Sequence, residues 1–141
     1  MPDKSEEIIK KMTEDIGKKY SIFVKGRPPV KGNSTEENKK RKKMLREAAQ
    51  KQLDYSKPKW TNLNMAVNYY NGEGGDDSLN VEGGIADTLQ GIAYNNDKQI
   101  HDSSMKEHFI VKDPTWYKVD LEFLHPGLTS HDGEFEKVLR L

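Results

Sequence analysis

The chain contains no cysteine, which excludes disulfide frameworks, thiol nucleophiles and cysteine-type zinc sites together and suits a reducing compartment. No apolar run approaches the roughly 20 residues of a membrane span. The N-terminal MPDKSEEIIKK lacks the apolar centre of a signal peptide. The expected setting is therefore cytoplasmic, with no membrane partner. Hydrophobic residues are also scarce, at 33% with a mean hydropathy of -0.94, so the core must be lean and long polar loops or a second subunit must cover part of its apolar surface. Net charge is absent as well, with 23 basic against 23 acidic residues. That balance conceals a division: residues 1–58 carry 16 Lys and Arg against 9 Asp and Glu, a net +7, and residues 59–141 carry 7 against 14, a net -7. A basic half can meet phosphates while an acidic half holds a divalent cation; a solvated surface gives the same counts.

A length of 141 residues suits one domain with its own core. Ile8, Ile9, Met12 and Ile16 lie at helical spacing over residues 5–17, and YSIFVK (20–25) reads as a strand. GRPPVKGN (26–33) has adjacent prolines that remove backbone donors, which makes it a stiff cationic loop. Ser34 followed by Glu37 suggests a capping box for a helix with Met44, Leu45, Ala48 and Leu53 on its buried face. Leu63, Met65, Val67 and Tyr69 alternate with polar or small residues as a half-buried strand does. Val81, Ile85 and Leu89 return to helical spacing over 79–90, with Gly91 as a stop. Ala93 and Tyr94 then suggest a short strand or extended turn, 99–112 is weakly strand-like, and Tyr117, Val119, Leu121 and Phe123 alternate clearly. The tail suggests a last short helix. The expected class is α/β, or α+β, with a mixed sheet covered by two or three helices.

The segment DSLNVEGGIADTLQGIAYNNDKQ (77–99) places Asp77, Asp87 and Asp97 ten residues apart. Asn80 and Asp87 are seven apart and share a helix azimuth, while Asp77 precedes the helix near its positive end, where a capping carboxylate is favoured even without metal. Gly83 and Gly84 stand side by side within the helical pattern, each at a cost of about 1 kcal/mol relative to alanine. Close approach of another backbone, a partner subunit or a phosphate would offset that cost. Should the helix and the following turn fold together, three carboxylates converge, and a hard cation such as Mg²⁺ relieves their repulsion.

The run DSLN, then Asp87-Thr88-Leu89, then GIAYNNDKQI resembles the signature of the RusA family of Holliday-junction resolvases, in which DxxN, a DAL-like triplet and a DDxQ element follow one another. IFVKGRPPVKGN looks like that family's first strand and proline-basic loop, and Lys106 loosely matches a downstream lysine. The resemblance covers residues 20–124, leaving 1–19 and 125–141 as extensions. It implies Asp77 and Asp97 as catalytic metal ligands for Mg²⁺ or Mn²⁺, with Asp87 a third ligand or a supporting carboxylate, and Asn80, Asn96 and Lys106 in supporting roles. Three positions depart from the pattern. Leu79 stands where many members have a second aspartate, Asn96 replaces the first aspartate of the DD pair, and Gly83 falls where a lysine is common. Asp76 is a candidate substitute ligand, and Lys31, Lys98 and Lys106 are candidate cations.

The implied activity is metal-dependent cleavage of branched or four-way DNA by a homodimer, whose two-fold symmetry suits paired nicks. The alternative is an impaired relative that binds DNA or a recombination partner without cutting it. Arg27 and Lys31 on the stiff loop, with Lys39, Lys40, Lys42 and Lys43 on the second helix, are the expected DNA contacts, and a solvated helix face is the competing account of the lysine run. Trp60, Trp116 and the tyrosines read as core or strand packing rather than as base-stacking platforms. No histidine pair has ligand spacing.

Overall fold

A computed structural model describes residues 4–13, 15–72, 80–110 and 114–124. The elements are α1 (Lys4–Thr13), β1 (Lys19–Lys25), α2 (Glu36–Gln52), β2 (Leu63–Asn71), α3 (Val81–Leu89), a 3-10 turn (Asp97–Gln99), β3 (Ile100–Phe109) and β4 (Trp116–Phe123). The four strands form one mixed sheet in the order β1-β4-β2-β3. β4 lies antiparallel to both β1 and β2, and β2 lies parallel to β3. Parallel neighbours need a crossover connection, and α3 lies within this one. The fold is thus a small α+β domain, as the alternation of patterns led us to expect.

Strand periodicity sends alternate side chains to opposite faces. Ile22 and Val24 of β1, Leu63, Met65, Val67 and Tyr69 of β2, and Tyr117, Val119, Leu121 and Phe123 of β4 are all buried on one face. They meet Leu45, Ala49 and Leu53 from the α2 segment and Val81, Ile85 and Leu89 from α3. Full burial of a side chain of this kind contributes roughly 1.5–3 kcal/mol, so a lean composition suffices because its apolar residues are concentrated in this layer. The opposite face carries polar and aromatic residues.

Three local expectations are corrected. Thr35, not Ser34, caps α2, because Thr35 is the extended residue whose hydroxyl accepts from the Asn38 amide. Met44 is 45% exposed, and the buried stripe runs instead through Asn38, Leu45 and Ala49. Of the two alternatives at Ala93 and Tyr94 the turn is formed: Gly91 N–H donates to Tyr94 O at 2.7 Å and closes a turn bridged to Lys59. Trp60 is not core but 49% exposed. The expected C-terminal helix lies outside the described residues.

The chain ahead of β1 is tied into the domain. Asp15 is buried and pairs with Lys18 and Lys59, each at 3.3 Å. Lys59 also lies over the Tyr55 ring at 4.8 Å. No helix among the described residues is long and apolar enough to cross a membrane.

Candidate functional site

The proline-basic loop is held rigidly from two sides. On one side, Asn38 of α2 is buried and uses its whole amide: Nδ2 donates to Val30 O at 2.9 Å and Asn33 O at 2.8 Å, and Oδ1 accepts from Val30 N–H at 2.8 Å. On the other side, Asn80 O accepts from both Lys31 N–H at 3.1 Å and Gly84 N–H at 2.9 Å. Asn80 has a left-handed backbone, φ 67°, a conformation asparagine tolerates better than most residues. It sets the start of α3 through its carbonyl, while its side chain makes no capping bond.

The paired glycines are accounted for by this loop. A Cβ on Gly84 would overlap the Pro29 carbonyl and stand 2.8 Å from the Val30 carbonyl carbon. The close approach is therefore that of another backbone, and only glycine admits it. At Gly83 the neighbour is the aliphatic stem of Lys31, whose Cδ would lie 3.1 Å from an added Cβ. Residues four apart share one helix face, so Asp87 lies one turn beyond the position that Lys31 crosses. Lys31 and Asp87 are both exposed.

The second acidic element is a locked turn. Gln99 is buried; its Oε1 accepts from Asn95 N–H at 3.1 Å and Asn96 N–H at 2.9 Å, and its Nε2 donates to Lys59 O and Thr61 O. Asn95 Nδ2 donates to Pro58 O and Lys59 O. Asn96 Oδ1 accepts from Lys98 N–H at 2.9 Å and so caps the 3-10 turn. Asp97 N–H donates to Gln90 Oε1 at 3.0 Å, which ties the turn to the end of α3.

Tyr94, which follows α3, is fully buried, its hydroxyl donating to Ala86 O at 2.5 Å. Burial is the main cause that holds its pKa far above the ordinary tyrosine value, followed by the negative charges of Asp97 and Asp87 and by Tyr55. Both carboxylates thus disfavour ionisation of one hydroxyl, and the turn that carries Asp97 is tied to the end of α3 through Gln90. Tyr94 and Asn38 are the residues sequence reasoning missed. The signal for Asn38 was its place three residues after the Thr35 cap.

Asp77, Asp76 and Leu79 lie outside the described residues. Lys106, opposite Asn68 in the β2–β3 register, is on the sheet face away from α3. Arg27 is half-buried on the stiff loop. On α2, Lys40 is exposed and Lys42 half-buried, while Lys39 pairs with Glu36 at 3.3 Å and Lys43 with Glu47 at 4.0 Å. Exposed pairs of this kind contribute little and leave those lysines free to exchange partners. Among the described residues, no group of three or more His, Cys, Asp or Glu side chains is placed to hold a metal ion. No protein-family model matches this chain, and no curated protein matches it.

Proposed function

We propose that the chain is a metal-dependent endodeoxyribonuclease acting on branched DNA, working as a homodimer, in keeping with its resemblance to RusA resolvases. The observation that carries this reading is the contact of the proline-basic loop with α3, which lays Lys31 across Gly83 one helical turn from Asp87. Lys31 comes from a loop tethered through Asn38 and Asn80, and Asp97 and Asp87 both contribute negative charge at the Tyr94 hydroxyl. Mg²⁺ is commonly held through one or two carboxylates with waters and substrate phosphates completing its shell, and Asp97 and Asp87 offer that donor set, with Asp77 beyond the described residues.

When bound, Mg²⁺ would supply the Lewis acidity that polarises the phosphodiester and stabilises the departing 3′ oxygen, leaving 5′ phosphate and 3′ hydroxyl ends. Lys31 would meet a non-bridging phosphate oxygen, in the place that a lysine at position 83 would otherwise serve. The tether through Asn38 and Asn80 fixes its backbone before substrate arrives, so little ordering cost falls on binding. Tyr94 acts through its bond to Ala86 and keeps the turn that carries Asp97 against α3. The basic face of α2 would add phosphate contacts whose strength falls steeply with salt.

A second reading has an observation in its favour. Asn96 replaces a carboxylate of the family pattern, and its side-chain oxygen is engaged in capping the turn; this suits an impaired relative that binds junctions without cutting. A synthetic four-way junction, incubated with Mg²⁺ or Mn²⁺ and either the native chain or Asp97→Asn, separates the two. Paired nicks abolished by the substitution support the nuclease. Tight junction binding without product from either protein supports the binder.

A further inference from the structure

The sheet face turned away from α2 and α3 carries a row of rings across all four strands. His108 of β3 stacks on Tyr70 of β2 with centroids 4.6 Å apart, and Tyr70 stacks on Trp116 of β4 at 4.2 Å. Trp116 faces Phe23 of β1 at 6.2 Å and 26°. The inner rings stand on edge and cover one another's faces. The gap between Phe23 and Trp116 is the wide one, and it opens into a groove of about 280 Å³ lined by Phe23, Val24, Lys25 and Trp116. A second groove of about 250 Å³ runs along the other flank of Phe23, towards Met44 and Lys51 of α2. Phe23 is thus a ridge, 52% exposed. Each groove is smaller than the roughly 300–1,000 Å³ that takes a drug-sized ligand, and suits one flat ring.

Cations border the row. Lys118 Nζ stands 5.9 Å from the Phe23 centroid and is shared with Asp120. Lys25 precedes the stiff loop and is exposed, and Lys106 lies on the same face two residues before His108. The free backbone edge of β1 is closed at this point to an added strand, because Gln52 occupies both Phe23 groups: Oε1 accepts from its N–H at 2.8 Å and Nε2 donates to its C=O at 2.7 Å. That argues against a partner that binds by strand addition. Lys25, Lys106 and Lys118 beside the rings match a chain of phosphates better than an apolar protein surface.

We infer that this face binds an unpaired DNA strand, one base entering the Phe23–Trp116 groove while Lys25, Lys106 and Lys118 meet the phosphates on either side. Aromatic rings interleaved with cations serve single strands without reading sequence. The inference rests on the proposed nuclease reading only in taking DNA as the substrate; it adds that the preferred branched molecules carry unpaired bases.

The test is fluorescence anisotropy with a labelled 12-nucleotide oligo(dT), run in EDTA so that no cleavage intervenes, together with the quenching of tryptophan emission. The native chain and Asp97→Asn should bind alike and lose tryptophan emission on binding. Phe23→Ala, a change at an exposed site, should weaken binding about tenfold. Phe109→Ala removes another exposed ring, on the far edge strand and the opposite face, and should leave binding unchanged. The inference is overturned if the native chain does not bind oligo(dT), if Phe23→Ala binds as tightly as the native chain, or if both substitutions weaken binding equally. It is overturned as well if sedimentation shows a dimer without DNA that Phe23→Ala dissociates, since the face then belongs to a second copy. Oligo(dT) binding with no junction cleavage would sink the nuclease reading alone; cleavage without such binding would sink this surface alone.

Discussion

Gly84 of α3 rests against the carbonyl of Pro29 with no room for a side chain between them. Two segments more than fifty residues apart in sequence are joined there, backbone to backbone, and the contact sets where Lys31 stands relative to Asp87. Alanine at position 84 should therefore lower stability by about 2 kcal/mol, since overpacking outweighs its better helix propensity. At position 83 the neighbour is the stem of an exposed lysine that can swing away, so Gly83→Ala should change stability by less than about 1 kcal/mol. Chemical denaturation of both variants checks the contrast, and equal losses would contradict it.

Asn38 is the loop's other anchor. Asn38→Ala leaves the Val30 N–H and the Val30 and Asn33 carbonyls without their partner, and stability should fall by about 2–3 kcal/mol. Hydrogen exchange should locate the damage. The Val30 amide should lose protection before those of β2 and β4, whose pairing does not depend on the loop.

Asp15 is buried between two lysines, one of them, Lys59, itself only 19% exposed. Removing the carboxylate leaves a poorly solvated ammonium unpaired, so Asp15→Ala should destabilise the domain by about 3 kcal/mol. A midpoint shift in a urea titration would measure it.

Alkaline pH should unfold the protein. Tyr55, Tyr94 and Tyr117 are all held above the ordinary tyrosine value of about 10, chiefly by burial. A raised folded pKa favours the neutral phenol, so this stability is complete below about pH 10 and is lost as pH climbs further, by about 1.4 kcal/mol per unit for each tyrosine. The tyrosinate absorbance of these three should appear together with unfolding rather than before it. Tyr94→Phe should reduce the steepness of the loss.

Much of the fold is legible in the chain because its periods are clean. Leu63 to Tyr69 and Tyr117 to Phe123 alternate without a break, and Val81, Ile85 and Leu89 recur every four residues, so β2, β4 and α3 follow from side-chain direction alone. The glycine pair also announced a close backbone approach, though not its partner, since Pro29 is brought to Gly84 only by tertiary packing. Met44 and Ala48 fit a helical stripe as well as Ala49 does, and which edge of that stripe is buried depends on how α2 rolls against β1. The turn at 95–99 hides its purpose in polar letters: Asn95 and Gln99 look like loop residues and are the inward-facing bonds that hold Asp97 in position. That Asp87 and Asp97 both add negative charge at the buried Tyr94 hydroxyl follows from how α3 and the turn pack, and no local period encodes it.

A Mn²⁺ titration followed by NMR tests the metal site most directly, because the paramagnetic ion broadens only signals near it. The account predicts that the amides of Asp87, Asn96 and Asp97 fade first at substoichiometric Mn²⁺, and that Asp97→Asn abolishes the effect. Broadening that begins elsewhere in the protein and spares those three, or that persists unchanged in Asp97→Asn, would contradict it.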